Sequence, residues 1–265
     1  MAVGLDLTRL NRLLTTSRIG RSLQYLDETA STNDDARRAL AEGASAGHTI
    51  VADAQTAGRG SRGRVWASPA GTDLYVSIID RLQVALPDLP PLTLAVGLAV
   101  AETADELLRA AHTTEITSQV KWPNDVLLAG RKCAGVLVET SVGHAATEGV
   151  IIGIGLNVNR EQFPPELTAT ATSLRLARST HLELDRTQAL ATLLKRVEAR
   201  VDQFVAHGAA AIVPELEARL AYLGQRVRCN QDSGVLRGVG PSGALLLETP
   251  QGLRSCFVGP IELDN

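Results

Sequence analysis

The spacing of hydrophobic residues changes repeatedly along this chain, and each spacing predicts a particular element. Apolar residues recur at helical spacing at 6–14, 92–110 and 187–208. Short apolar or alternating runs, which are typical of strands, occur at 22–27, 48–54, 73–80 and 149–159. Residues 31–43 begin with the capping sequence Ser-Thr-Asn and continue in a helical pattern. Helices and strands therefore intermix along the chain.

The segment 118–141 contains apolar runs that are interrupted by turn residues. This pattern predicts a strand, a turn at Pro123-Asn124 and a hairpin that turns at Gly130-Arg131. Strict alternation of strands and helices, which would indicate a fully parallel sheet, is not maintained along the sequence. We therefore predict an α+β fold with a mixed β-sheet flanked by helices.

A change of pattern near the C-terminus predicts a second domain. From Gln225 onward the apolar runs are short and closely spaced, with Gly and Pro between them, as in a small β-barrel. A chain of 265 residues with 45% hydrophobic content can fill one large core and one small one. We divide the chain into a large domain, residues 1–223, and a small β-barrel domain, residues 224–265.

Composition and charge exclude several classes of protein. The 26 Lys and Arg residues against 29 Asp and Glu give a net charge of -3, so no global basic field is available for nucleic acid. Cys133, Cys229 and Cys256 are widely spaced, which argues against a disulfide framework or zinc knuckle and favours the reducing cytoplasm. The apolar runs are too short or too interrupted by charge for a signal peptide or membrane span. We expect neither a nucleic-acid partner nor a membrane partner.

The sequence TAGRGSRGRVW at 56–66 contains glycines with the spacing of a dinucleotide-binding loop. Such a loop must follow a strand and open a helix. A strand is predicted before it, but Pro and Gly shortly after it rule out a helix of useful length. The loop also carries Arg59, Arg62 and Arg64, so its side chains would bind any phosphate. A solvated surface turn is the alternative interpretation.

Three further polar segments interrupt the apolar pattern. KWPND at 121–125 places a lysine and a turn between two strands, and both features have ordinary structural explanations. STN at 31–33 fits a capping box with Thr32 as the N-cap and Asp35 three residues later. GIGLNVN at 153–159 imitates a dinucleotide loop but has valine where the third glycine belongs. Each segment alone is weak support for a binding site.

Together, these segments closely resemble the biotin–protein ligase family. The resemblance rests on STN, QTAGRGSRGRVW, KWPND with GRKCAGVLVE, and GIGLNVN in this order, and it extends over about residues 22–260. It implies a catalytic domain similar to class II aminoacyl-tRNA synthetases, followed by a small C-terminal Src-homology-3-like barrel. Some family members carry an N-terminal helix-turn-helix and act as repressors. Because the segment before Ser22 is too short for one, we expect the ligase-only type.

The resemblance implies a two-step reaction. ATP activates biotin to biotinyl-5′-AMP with release of pyrophosphate, and biotin is then transferred to a lysine of a biotin carboxyl carrier domain. The expected partner is therefore the carrier domain of a biotin-dependent carboxylase such as acetyl-CoA carboxylase. Mg²⁺ is expected to accompany ATP, and the sequence identifies no protein ligand for it. A monomer and a weak dimer both remain open, and we expect a cytoplasmic location.

The resemblance also implies roles for individual residues. Arg59 and Lys121 form the central catalytic pair, which contacts the biotin carboxylate and the phosphate. The residues expected to bind biotin are Ser31, Thr32, Asn33, Gln55, Arg59, Gly60, Ser61, Lys121 and Gly135. The residues expected to bind ATP or the adenylate are Arg62, Arg64, Trp66, Asn124, Lys132 and Asn157.

Three of these residues carry more specific expectations. Trp66 would stack on adenine, and Gly135 would let the backbone approach biotin closely. Family loops often have a basic residue where this chain has Ser61, so we expect weaker retention of the adenylate. Because nothing compensates the repulsion between the arginines in the empty loop, we expect the loop to be mobile and to close over ligands as a lid.

Two other functions are compatible with parts of the pattern. Lipoate–protein ligases resemble this family in fold and chemistry but lack the arginine-glycine loop. A non-catalytic biotin sensor or DNA-binding regulator, with the barrel as an interaction module, is the alternative from another class. The net charge of -3 and the absence of a helix-turn-helix argue against the regulator.

Overall fold

The computed structural model describes residues 4–113, 116–142, 147–178 and 182–264. Within these ranges seven strands form the larger sheet: β1 (Leu23–Thr29), β2 (Thr49–Gln55), β3 (Leu74–Asp80), β4 (Ser118–Lys121), β5 (Asp125–Leu128), β6 (Arg131–Val142) and β7 (Thr147–Leu156). Their order is β1-β2-β3-β7-β6-β5-β4. β1 and β2 are parallel and the other neighbouring pairs are antiparallel. The predicted mixed sheet is confirmed.

Helices lie on this sheet and beside it. The α-helices of the described ranges are α1 (Leu7–Leu13), α2 (Thr32–Ala41), α3 (Leu92–Ala110), α4 (Leu174–Ala177), α5 (Arg186–His207) and α6 (Val213–Glu217). The apolar sequence of α3 buries most of its residues against α5 and strands β4 to β6. No helix in the described part of the chain is long and apolar enough to cross a membrane.

The helices cover both faces of the sheet. Ile79 of β3 belongs to a small apolar cluster with Ala36 and Leu40 of α2. The adjacent Ile78 belongs to the main core, which also contains the apolar residues of α3 and α5. Since neighbouring strand residues point to opposite faces, α2 lies on one face and α3 on the other. Coverage of both faces explains why β3 is buried along its whole length.

Two boundaries differ from the predictions for local reasons. β7 ends at Leu156, earlier than predicted, because the backbone N–H of Val158 donates to an Asp73 carboxylate oxygen at 2.9 Å instead of to a strand. The β5–β6 hairpin turns at Ala129-Gly130, one residue before the predicted position. Both turn residues have positive φ, 47° and 75°, as a two-residue type I′ turn requires.

The C-terminal strands form a second sheet, which is antiparallel. These strands are β8 (Arg226–Cys229), β9 (Asp232–Val239), β10 (Leu245–Thr249), β11 (Gly252–Cys256) and β12 (Ile261–Leu263), in the order β11-β10-β9-β8-β12. The sheet contacts the larger part of the protein through Trp122, whose Nε1 donates to the Gly243 carbonyl at 3.1 Å. The predicted small C-terminal β unit is confirmed.

The three cysteines are divided between the two sheets. Cys133 lies on β6 of the larger sheet, whereas Cys229 and Cys256 lie on β8 and β11 of the smaller one. All three are free and buried. Burial raises the pKa of the Cys133 thiol and that of the Cys229 thiol to about 12. These thiols are therefore protonated and shielded in the folded protein at neutral pH.

Candidate active site

A cavity of about 390 Å³ lies where the N-terminus of α2, the arginine loop and strands β4 to β7 meet. It brings together most of the residues that the sequence predicted to bind ligands. The predicted residues that line it are Ser31, Thr32, Asn33, Gln55, Arg59, Gly60, Ser61, Arg64, Trp66, Lys121, Asn124, Lys132, Gly135 and Asn157. Arg62 does not line this cavity. It has a left-handed backbone, with φ of 60°, and lines a neighbouring cleft of about 500 Å³.

Uncharged side chains are hydrogen-bonded to one another at the start of α2. The Gln55 Oε1 atom accepts from the Thr32 N–H at 2.9 Å and from the Thr32 hydroxyl at 3.1 Å. The Gln55 Nε2 group donates to the Ser68 hydroxyl at 2.8 Å. The predicted N-cap is therefore wrong: Ser31 occupies that position, and Thr32 bonds to Gln55 instead of capping the helix. These bonds hold a set of neutral donors and acceptors in fixed orientations.

Ser77 is a member of this network that the sequence did not identify. Its buried hydroxyl lies 2.6 Å from the Asn33 Oδ1 atom and 2.8 Å from the Thr32 hydroxyl oxygen. A lone serine in the apolar strand LYVSIID was the available signal, since buried hydroxyl groups need partners. Gly153 makes room for Asn33, because a Cβ at that glycine would lie 2.3 Å from the Asn33 Oδ1 atom.

The arginine loop forms a small hairpin with its own hydrogen bonds. The Gly60 N–H donates to the Arg64 carbonyl at 2.7 Å, and the Trp66 N–H donates to the Gly58 carbonyl at 2.9 Å. The Arg64 guanidinium donates to the Ser61 hydroxyl at 3.1 Å. The chain continues from the loop towards β3 and not into a helix, which confirms that it is not a dinucleotide-binding loop.

Arg59 is paired with acidic residues. Its Nη2 atom lies 2.7 Å from an Asp34 carboxylate oxygen and 3.5 Å from a Glu139 carboxylate oxygen. Arg37 contacts the same two carboxylates at 2.6 and 2.9 Å. The expectation that nothing compensates the loop arginines is therefore wrong for Arg59. Partly exposed pairs of this kind are weak, so a ligand carboxylate could replace them at little cost.

The two lysines of the cavity differ in their partners. The Lys132 Nζ atom lies 2.6 Å from an Asp125 carboxylate oxygen and 5.1 Å from the centroid of the Trp66 ring. The Lys121 Nζ atom lies 5.7 Å from the centroid of the Tyr222 ring. Among the described residues, Lys121 forms no salt bridge with a carboxylate. Its positive charge is therefore available to a negatively charged ligand.

Trp66 lies against the backbone of two neighbouring strands. A Cβ at Gly155 would lie 2.4 Å from the Trp66 ring, and a Cβ at Gly135 would lie 3.0 Å from it. A side chain at Gly135 would therefore meet the Trp66 ring, and the close approach of the Gly135 backbone to biotin stays a prediction. Within the described ranges, the buried Trp66 Nε1 and Asn157 Oδ1 atoms have no hydrogen-bond partner. Polar atoms of this kind in a cavity wall are free to form hydrogen bonds with water or with a bound ligand.

Comparison with known proteins assigns the chain to a family. Residues 25–157 match the biotin/lipoate A/B protein ligase family. The bifunctional ligase/repressor BirA of Bacillus subtilis is 35% identical over 256 residues, which cover 94% of this chain and 76% of that protein. The biotin–acetyl-CoA-carboxylase ligase of Mycobacterium tuberculosis is 36% identical over 244 residues, which cover 86% of this chain and 84% of that protein. The chain belongs to the biotin/lipoate A/B protein ligase family.

A solved structure supports the same assignment. The biotin protein ligase of Aquifex aeolicus in complex with biotin and ATP matches with a TM-score of 0.77 and 32% identity. The match covers 92% of this chain and 99% of that one. The fold expected from the sequence resemblance is thereby confirmed over nearly the whole chain.

Proposed function

We propose that this protein is an ATP-dependent biotin–protein ligase that forms biotinyl-5′-AMP and transfers biotin to a lysine of a biotin carboxyl carrier domain. The observation that carries the proposal is the composition of one cavity. Lys121 offers an unpaired cation there, and the unpartnered polar atoms of Trp66 and Asn157 line the same space. The neutral network around Thr32 and Gln55 suits an uncharged polar ring such as the biotin ureido group.

The first step joins two negatively charged reactants. A carboxylate oxygen of biotin attacks the α-phosphorus of ATP, and the bond from that phosphorus to the pyrophosphate oxygen breaks. Lys121 and Arg59 offset the repulsion between the carboxylate and the triphosphate and stabilise the charge that grows in the transition state. Arg59 reaches the biotin carboxylate by exchanging its contacts with Asp34 and Glu139 for it.

The second step requires no nucleophile from this chain. The amine of the carrier lysine attacks the acyl carbon of the adenylate, AMP leaves with the bonding electron pair, and the amine loses a proton to solvent. The cleft of about 500 Å³ shares Lys121 and Asn124 with the cavity and extends to Phe257 and Val258 of the C-terminal unit. We place the approach of the carrier lysine in this cleft.

Magnesium enters the proposal as the counter-ion of ATP. The described residues contain no group of three or more His, Cys, Asp or Glu side chains that could hold a metal ion. Phosphate oxygens and water would hold Mg²⁺, which lowers the charge of the triphosphate. Asp125 is the carboxylate among the cavity-lining residues, and Lys132 already pairs with it.

The location and domain division are also part of the proposal. A cytoplasmic location is supported by the three free thiols, which persist in a reducing compartment. The division into residues 1–223 and 224–265 is supported by the change from α6, which ends at Glu217, to the second sheet, which begins at Arg226.

The proposed function is tested by pyrophosphate exchange and carrier labelling. The purified protein is given ATP, labelled pyrophosphate and either biotin or lipoate, and then a biotin carboxyl carrier domain. We expect exchange and carrier labelling with biotin and neither with lipoate. Exchange with lipoate would identify a lipoate ligase, and biotin binding without exchange would indicate a regulator. Either result would overturn the proposal.

Replacing Gly155 by alanine is expected to weaken ATP binding selectively. The added methyl group would lie 2.4 Å from the Trp66 ring, so the ring must leave its position on the sheet. Loss of a stacking surface for adenine costs roughly 1–3 kcal/mol, which raises the KM for ATP by about 5- to 150-fold. Steady-state pyrophosphate exchange measures this KM. Gly97→Ala is the control, because its methyl group meets the nearest atom at 3.6 Å.

A further inference from the structure

A buried ion pair adjoins the part of the cavity that Trp66 and Asn157 line, and its arginine reaches the cavity surface. Asp73 precedes β3 and is 1% exposed, and Arg160 follows β7 and is 4% exposed. The Arg160 Nε group donates to an Asp73 carboxylate oxygen at 2.7 Å. Burial raises the pKa of the Asp73 carboxyl above its ordinary value. Because burying charges is costly even when they are paired, this pair suggests a role beyond packing.

Arg160 and Asp73 each form a second hydrogen bond, to the backbone of a residue next to Trp66 or Asn157. The Arg160 Nη2 group donates to the carbonyl of Ala67, the residue after Trp66, at 2.6 Å. An Asp73 carboxylate oxygen accepts from the N–H of Val158, the residue after Asn157, at 2.9 Å. The ion pair therefore connects the two chain segments that carry Trp66 and Asn157.

Neighbouring aromatic residues restrict the pair further. The Tyr75 hydroxyl oxygen lies 3.1 Å from the Arg160 Nη2 atom and 3.0 Å from the Pro69 carbonyl oxygen. The Arg160 guanidinium carbon lies 5.2 Å from the centroid of the Phe163 ring. Arg160 and Phe163 both line the cavity. The guanidinium is therefore held on several sides, and its hydrogen bonds fix the backbone after Trp66.

We infer that Asp73 and Arg160 are positioning residues for the nucleotide half of the cavity, because they set the separation between Trp66 and Asn157. The inference rests on the proposed function, which places ATP against those two residues. Thr32 and Gln55, which belong to the biotin half, are linked to each other by their own hydrogen bonds. Loss of the ion pair should therefore affect ATP more than biotin.

The test compares two buried aspartates with the same kind of contacts. Asp73→Asn keeps the size of the side chain but removes the charge that faces Arg160. Asp105→Asn is the matched control, because Asp105 also pairs with an arginine, Arg219, and accepts a backbone N–H, that of Ser118, at 2.8 Å. Asp105 lies outside the residues that line the cavity.

We expect both variants to lower the melting temperature, and only Asp73→Asn to change the kinetics. Its KM for MgATP should rise by at least about tenfold, while kcat at saturating ATP and the Kd for biotin from calorimetry change by less than about threefold. Asp105→Asn should keep its KM for MgATP within about twofold of wild type. An equal rise in both variants, or an equal loss of biotin and ATP binding in Asp73→Asn, would overturn the inference.

Arg160→Lys provides a second variant in case Asp73→Asn does not fold. The lysine keeps a positive charge beside Asp73, but its single ammonium group cannot take the place of a guanidinium that bonds both Asp73 and the Ala67 carbonyl. We expect the same selective rise in the KM for MgATP, and an unchanged KM would overturn the inference. Absence of pyrophosphate exchange in the wild-type protein would instead contradict the proposed function.

Discussion

Replacing Lys121 by alanine should slow biotinyl-adenylate formation by about 10²–10³-fold, as expected for loss of one preorganised charged donor. Lys121 carries a cation that forms no salt bridge with any described residue, so its charge can act on the reacting phosphate. Biotin-dependent pyrophosphate exchange measures the effect. Lys195→Ala is the matched control, because Lys195 is an exposed residue of α5. Exchange within about threefold of wild type in Lys121→Ala would remove this residue from the mechanism.

The same variant should leave the fold almost unchanged. The aromatic contact of the Lys121 Nζ atom, 5.7 Å from the Tyr222 ring centroid, is worth about 0.5–1 kcal/mol at a partly exposed site. A melting temperature close to that of wild type, together with the large loss of exchange, would therefore assign the defect to chemistry and not to stability.

Replacing Arg59 by alanine should reduce adenylate formation by a similar factor, about 10²–10³, but with a different signature. The variant loses the cation that we assign to the biotin carboxylate, and it leaves Asp34 and Glu139 with Arg37 as their remaining arginine partner. Because Asp34 and Glu139 are then less compensated, the biotin carboxylate meets a more negative potential. This should raise the KM for biotin as well as lower kcat. Steady-state exchange at varied biotin concentration separates these two effects.

Arg37→Ala is the matched control for this prediction. Arg37 contacts the same two carboxylates as Arg59 but does not belong to the residues that line the cavity. We expect its exchange rate to stay within about threefold of wild type. If Arg37→Ala slows exchange as much as Arg59→Ala does, the rate depends on the intact cluster of charges and not on direct contact of Arg59 with biotin.

The local spacing of apolar residues was sufficient to predict most of the fold. The helix predicted at 92–110 is α3 with the same ends, because its long apolar run is covered by α5 and the sheet. The mixed sheet followed from the absence of strict alternation, and the C-terminal unit followed from its short strands. Boundaries shifted where a distant side chain intervened, as at Thr32, whose hydroxyl bonds to Gln55 instead of to the helix end.

The residues that line the site were predictable from the sequence, but the hydrogen bonds and ion pairs that hold them were not. The order of the motifs along the chain predicted that Arg59, Lys121 and Trp66 belong to one site, and all three line one cavity. The pairing of Asp73 with Arg160 joins residues 87 positions apart, and neither residue belongs to a motif. Partners of this kind depend on tertiary proximity, which single-sequence periodicity does not contain.

Because the buried cysteines are divided between the two sheets, the rate at which each cysteine is alkylated measures how often its own sheet opens. An alkylating reagent reacts with a thiolate, so burial and a pKa of about 12 at Cys133 and Cys229 delay the reaction until the surrounding structure opens. Alkylation of Cys133 follows opening of the larger sheet, and alkylation of Cys229 and Cys256 follows opening of the smaller one. Equal labelling rates at all three sites would mean that the two sheets unfold as one cooperative unit, and faster labelling at the C-terminal pair would mean that the smaller sheet opens independently of the catalytic core.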